Sequence, residues 1–405
     1  MKSAFFSSAI IVCAVTLAAQ QDPLVARARA IHDRIITLDT HNDIDPRNFT
    51  ADCNYSMRLT TQVNLPKMKE GGTDVAFFIV YVGQGDLTPA GYDSAYRAAI
   101  AKFDAVHRLT EQIAPKEIEL ALTPADVVRI HKSGKKVAVI GIENGYPIGT
   151  DVKRVKEFYD RGGRYMSLAH NGHNQLADSH TGESSNEWKW GGVSPLGREV
   201  IQEMNRLGMM VDVSHPSKGA IMQAIALSKA PVIASHSSVR RLANQSRNMD
   251  DELLTAVKTN GGVVQINAVS DFVKAPEPRP AAASGPSAAS GRASGGGRRG
   301  AEPAAYKCPI ETAATPRPAA PRATVKDYVD HIDYAVKLIG IDHVGIASDF
   351  DGGGGVDGWN SAAEAFDVTL ELVRRGYTEE QIGKIWSGNL LRVWGDVEKV
   401  ARSMR

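Results

Sequence analysis

Eleven histidines are spread over 405 residues, and several stand where catalysis or metal binding could use them. The stretches of interest are Thr40-His41-Asn42-Asp43, Gly141-Ile142-Glu143, His170, His215, His236 and Asp349. Imidazole nitrogens and carboxylate oxygens in combination suit zinc or a similar divalent ion. His41 and Asp43 are two residues apart, so on a strand both side chains point the same way. Taken singly, none of these carries an argument. A His-x-Asp pair arises by chance, a histidine after a strand is often a loop residue, and Glu143 alone could cap a helix. Their weight depends on whether the fold gathers them.

Short apolar runs of β type occur at Ile35-Asp39, Asp74-Tyr81, Val137-Ile142, Tyr165-Ala169, Met209-Val213, Val232-Ser235, Gly262-Asn267 and Val344-Ser348. Helical patterns lie between them, for example from Ala90 to Ala114, Val152 to Arg161, Pro195 to Leu207 and Asp250 to Thr259. Eight such βα repeats predict an α/β fold, a TIM-type (β/α)8 barrel. No Gly-rich phosphate fingerprint follows the first strand, which argues against a dinucleotide-binding sheet. The Gly352-Gly355 run lacks the Lys-Ser/Thr of a phosphate cradle. In a parallel barrel the C-terminal strand ends converge on one mouth, where active sites are assembled. The first predicted strand runs into His41 and Asp43, and the third ends at Glu143. His170, His215 and His236 follow the fourth, fifth and sixth, and Asp349 follows the eighth. Six strand ends carrying His, Asp or Glu point to a metal site at that mouth.

Lys+Arg 47 against Asp+Glu 46 leave a net charge of +1, so no overall field draws in nucleic acid or acidic lipid. A hydrophobic content of 43% supports a large core, and heptads or helical repeats are absent. Residues 1–20 read as a secretory signal: Lys2, an apolar run through Ile10-Ile11-Val12-Cys13-Ala14-Val15, then small residues at Ala18-Ala19. That run is too short to span a bilayer comfortably. The mature chain, 21–405, is therefore expected outside the cytoplasm, periplasmic or extracellular, without a transmembrane span. Residues 275–323 are rich in Pro, Ala, Gly and Ser, and are expected to form a solvated loop inserted after the seventh strand. Losing Cys13 leaves Cys53 and Cys308, too few for a thiolate zinc site. Their loops leave the same barrel face and the compartment permits oxidation, so a bridge tethering the insertion to the rim is expected; two unpaired thiols are the alternative.

In order along the chain, from about residue 31 to 396, the motifs resemble the membrane (renal) dipeptidase family of the amidohydrolase superfamily, in an exported, bacterial-type member. The resemblance rests on Leu38-Asp39-Thr40-His41-Asn42-Asp43, Gly141-Ile142-Glu143-Asn144-Gly145, Leu168-Ala169-His170-Asn171 and Asp212-Val213-Ser214-His215. It continues through Ser235-His236-Ser237-Ser238, Arg247-Asn248-Met249, Ser348-Asp349-Phe350-Asp351-Gly352 and Gly388-Asn389-Leu390-Leu391-Arg392-Val393. It implies a zinc-dependent dipeptidase with two zinc ions, or similar divalent metals. His41 and Asp43 would hold one, His215 and His236 the other, and Glu143 would bridge them. Such a pair lowers the pKa of a shared water and yields a nucleophilic hydroxide near neutral pH. By the same resemblance His170 polarises the scissile carbonyl or stabilises the oxyanion, and Arg247 binds the free α-carboxylate of a dipeptide. Asp349 takes the water's proton and returns it to the leaving amine. Asp351 is expected to be structural, and Asn389 and Arg392 to serve packing. Two departures flank the metal site: Asn144 stands where the family usually has Gly, and Tyr146 near a position where a small residue or His is common.

Two other classes fit parts of this pattern. One is a different metal-dependent amidohydrolase acting on an amide, lactam or ester. Relatives that bridge their metals with a carboxylated lysine at strand four are disfavoured, because this strand ends in Ala169-His170. The other is a non-catalytic metal- or peptide-binding envelope protein, against which the presence of Asp349 argues. A dipeptide is the expected substrate partner, nucleic acid is not expected, and a homodimer is compatible with the sequence.

Overall fold

A computed structural model describes residues 22–275, 306–315 and 320–404; the expected signal segment and most of the insertion lie outside them. Among the described residues nine strands form one sheet: β1 (Leu38–Asp43), β2 (Val75–Tyr81), β3 (Ile118–Leu120), β4 (Lys136–Glu143), β5 (Gly163–Ser167), β6 (Met210–Asp212), β7 (Ile233–Ala234), β8 (Val263–Asn267) and β9 (Val344–Ala347). Every pairing is parallel, in the order β1-β2-β4-β5-β6-β7-β8-β9. The ring closes where Asp43 N–H donates to Phe350 O (2.9 Å) and Thr40 Oγ1 donates to Ile346 O (3.0 Å). This is the expected barrel, with one additional strand. β3 is three residues long and pairs only with the start of β4, off the circuit. So short a run gives no periodicity to read.

Composition accounts for the layers. Val75-Ala-Phe-Phe-Ile-Val80 and Val137-Ala-Val-Ile140 are apolar on both faces, as strands must be when one face meets the barrel interior and the other meets helices. Phe77 and Tyr165 stack inside the barrel with centroids 5.6 Å apart. Trp394 of the helix Asn389–Ser403 abuts Phe77 and closes the lower end. Asn389 Nδ2 donates to Ile341 O and Val344 O, and Arg392 donates to Gly261 O and Asp342 O, fixing that helix under the strand starts. Helices begin where a capping residue precedes proline: Thr88-Pro89, Thr123-Pro124 and Ser194-Pro195 each accept a backbone N–H and set the first φ. The helix expected from Ala90 to Ala114 is Pro89–Arg108 followed by a π turn at Leu109–Ile113. No helix among the described residues is long and apolar enough to cross a membrane.

The first strand differs from expectation. It starts at Leu38 and runs through Asp43, because pairing with β2 continues past the last apolar residue: Asn42 lies opposite Phe78 and Asp43 opposite Ile79. His41 and Asp43 therefore belong to the strand itself rather than to a loop after it. Of the insertion, residues 306–311 lie against the loop after β1, with Tyr306, Lys307 and Ile310 still exposed. Thr60 N–H donates to Pro309 O (2.7 Å), Glu311 N–H donates to Arg58 O (3.0 Å), and Glu311 pairs with Lys67 (2.7 Å). Cys53 and Cys308 form the expected disulfide, with Cα atoms 5.5 Å apart.

Candidate metal centre

The upper end of the barrel gathers all the expected acids and imidazoles. β1 presents His41 and Asp43, and β4 ends on Glu143; His170, His215, His236 and Asp349 leave β5, β6, β7 and β9 within three residues. The turns are tight. Asn144, His215 and Asp349 all have positive φ (73°, 77° and 60°), a conformation that costs most residues energy and that clusters at functional sites. Asn tolerates it better than other non-glycine residues, which accounts for Asn144 where glycine is usual. Its amide reaches away from the cluster, to Val82 O, Tyr146 N and Asn174 Nδ2. Tyr146 likewise points to Asp86 O (2.6 Å). Both departures brace loops.

Glu143 stands at the centre. Its Oε1 is 2.8 Å from His215 Nε2 and 3.2 Å from His236 Nε2, whereas its Oε2 faces His41 Nε2 at 3.5 Å. His41 Nε2 is also 3.7 Å from Asp43 Oδ2. The carboxylate thus presents one oxygen to each of two groups of side chains. Three overlapping sets have ligand atoms close enough to share an ion: His41, Glu143 and His236; Glu143, His170 and His215; His41, Asp43 and Asp349.

Hydrogen bonding assigns the tautomers. Tyr165 Oη donates to Thr40 O (3.0 Å), so it accepts from His41 Nδ1 (3.1 Å). Ser235 Oγ donates to Asp212 Oδ2 (2.6 Å), so it accepts from His236 Nδ1 (2.8 Å). Asn171 Oδ1 accepts from His215 Nδ1 (3.2 Å). All three rings donate from Nδ1; the Nε2 lone pairs of His215 and His236 face Glu143, and His41 turns its Nε2 to the same carboxylate. The His215 and His236 Nε2 atoms are 3.0 Å apart, and two lone pairs at that separation repel unless a cation lies between them. His41 Nε2 is buried without a hydrogen-bond partner. The donor types, the unpartnered His41 Nε2 and the oxygens that hold each Nδ1 therefore all fit divalent metal ions.

The electrostatics agree. Burial opposes ionisation of Glu143, yet the surrounding imidazoles hold its carboxyl well below the usual range. Burial keeps His215 and His236 neutral, well below the ordinary imidazole value. At His41 burial is outweighed by Glu143 and Asp43, which hold it well above that value; a cation would take the place of that proton. Asp349 is pushed up to about 7, first by burial and then by Asp43 and Glu143, and its Oδ2 accepts from Asn267 Nδ2 (2.9 Å). His170 is held low by burial; its Nε2 lies 3.7 Å from Glu143 and its Nδ1 3.5 Å from Tyr81 Oη. Arg247, 5% exposed, donates to Ser237 Oγ (2.9 Å) and His236 O (2.7 Å), while its Nε has no partner.

Asp351 points elsewhere and accepts from the N–H groups of Gln62 and Val63, fastening the loop after β1. The supporting residues Asn171, Asp212 and Ser235 lie inside the motif blocks but had no role assigned to them, and Tyr165 was read only as the start of a strand. Nor was a role assigned to His180, which lies between Asn171 Oδ1 and Ser246 Oγ (2.9 Å each) and so joins the His215 support to the residue before Arg247.

Comparison with known proteins bears on what this centre does. The dipeptidase aclJ of Aspergillus oryzae is 32% identical over 384 residues, covering 92% of this chain and 80% of its own. The probable dipeptidase PvdM of Pseudomonas aeruginosa superposes with a TM-score of 0.78 at 28% identity, covering 93% of this chain and 99% of that one. A metallopeptidase of Rhodobacter sphaeroides, solved with a phosphinate mimic of the dipeptide L-Ala-D-Ala, shares the fold: TM-score 0.69, 21% identity, 90% of this chain and 99% of that one. The model of the membrane dipeptidase family, peptidase family M19, matches residues 25–405, and with the site geometry above this chain belongs to that family of metal-dependent peptide-bond hydrolases.

Proposed function

We propose that the dipeptidase works with two divalent ions, zinc in the first instance, one held by His41 and Asp43 and the other by His215 and His236, with Glu143 between them. The observation that carries this reading is the convergence of three imidazole Nε2 atoms on the two oxygens of one carboxylate. When bound, such ions activate water and polarise a carbonyl.

The chain's own residues supply the rest. Arg247 offers its guanidinium charge to the free α-carboxylate of a dipeptide, a planar donor matched to a planar acceptor. Its two bonded nitrogens fix the guanidinium beside the His236 turn. His170, neutral and beside Glu143, is placed to donate from Nε2 toward the scissile oxygen. Asp349, held by Asn267 and titrating near neutrality, takes the nucleophile's proton and passes it to the departing amine. Export follows from the signal-like residues 1–20, and N-terminal sequencing of the secreted protein would test it. The central test is hydrolysis of Ala-Ala by the full chain before and after chelation: activity should vanish with the metals and return with added zinc. Activity indifferent to chelation would refute the reading.

A further inference from the structure

The helix Pro89–Arg108 carries a cation that no described group neutralises. Lys102 is half-buried, with Nζ 5.6 Å from the centre of the Tyr81 ring. Tyr81 ends β2, and its ring lies 4.6 Å from that of His170. Among the described residues Lys102 makes no ion pair and no hydrogen bond, unlike the other cations near the loop after β1. Arg47 takes Asp45, and Arg58 and Lys67 take Glu311. The carboxylates acting on Lys102 are Asp43, Glu143 and Asp45. The first two face the imidazoles and the third is occupied by Arg47.

Its place relative to Arg247 gives the lysine a meaning. Arg247 donates to Ser237 Oγ and His236 O on the β7 side of the site, whereas Lys102 lies over Tyr81, whose ring meets His170, on the β2 side. In the eight-strand circuit β2 is second and β7 sixth, on opposite sides of the mouth. Lys102 borders β2, and Arg247 lies in the loop after β7. A dipeptide whose C-terminal carboxylate meets Arg247 and whose scissile carbonyl lies over Glu143 extends its N-terminal residue toward Tyr81 and Lys102.

We propose that Lys102 forms a second anion subsite across the mouth from Arg247, which selects dipeptides whose N-terminal residue carries an acidic side chain. The aromatic face of Tyr81 holds the ammonium in place by a cation–π contact, and a glutamate or aspartate side chain supplies the partner it lacks. The inference rests on Arg247 as the anchor of the α-carboxylate.

The test compares kcat/KM of the full-length, metal-loaded enzyme for Glu-Ala and Gln-Ala, which match in shape and differ in charge. The native enzyme should favour Glu-Ala by about tenfold, the size of one charge-assisted hydrogen bond. Lys102→Met should bring that ratio close to one, and Lys102→Arg should keep most of it. Equal use of the two substrates by the native enzyme overturns the proposal without any variant, and so does a ratio that survives in Lys102→Met. Failure of the anchor reading looks different. Native enzyme would then cleave C-terminally amidated Gln-Ala as well as the free acid, which removes the orientation and the subsite with it. Turnover of neither substrate would overturn both readings together.

Discussion

At the scale of single residues, the centre works by division of labour between lone pairs and their holders. Each Nε2 is aimed by an oxygen on Nδ1 whose own proton is committed elsewhere or which has none. Asp349 differs from this group: it is bonded to Asn267 and pushed up to about 7 by burial, so it can exchange a proton near neutral pH. Asp349→Asn should therefore keep the full metal complement yet lose roughly 10²–10⁴-fold in turnover, the usual worth of a general acid–base. Metal analysis beside kinetics checks this, and parallel loss of metal would make Asp349 a ligand instead. Arg247→Ala should cost a few kcal/mol of kcat/KM for dipeptides with a free carboxylate. Amidated substrates should be poor for native and variant alike, and equal cleavage of amidated and free forms by the native enzyme contradicts the clamp. The acids and imidazoles were legible because each sits at a predicted strand end, where the barrel brings side chains together. Their holders were not: Tyr165 lies 124 residues from His41, and nothing in local pattern links them.

At the scale of elements, apolar patterning located the eight barrel strands but misplaced the end of the first. The apolar pattern stops where the functional face begins, whereas backbone pairing with β2 carries on to Asp43. β3 escaped notice because three residues are too few to show alternation. The insertion was read from composition as a solvated loop tethered by its cysteine; the disulfide to Cys53 is there, and residues 306–311 also find backbone partners along Arg58-Leu59-Thr60. These contacts hold the loop that follows the His41–Asp43 strand from one side, while Asp351 holds it from the other. The bridge spans 255 residues of sequence, so its loss should lower stability by about 2–4 kcal/mol. Urea unfolding of a Cys53→Ser, Cys308→Ser double variant against the oxidised native protein measures this. Unchanged midpoints would mean that the backbone contacts alone fix the strip.

At the scale of the whole molecule, an apolar floor sealed by Trp394 supports a polar mouth in which the carboxylates of Asp43, Glu143 and Asp349 oppose one another. Binding to the folded state alone adds about 4 kcal/mol for an ion at a thousand times its dissociation constant. Removing the metals should thus lower the melting temperature by at least several degrees, and restoring zinc should recover it. A chelated protein that melts unchanged would show that the mouth needs no ions to keep its shape. The number of ions is the most direct question. Elemental analysis of the dialysed native enzyme is predicted to give two divalent metals per chain, and fewer in His215→Ala. A native value of one or none, or a full complement in His215→Ala, would contradict the two-metal centre built around Glu143.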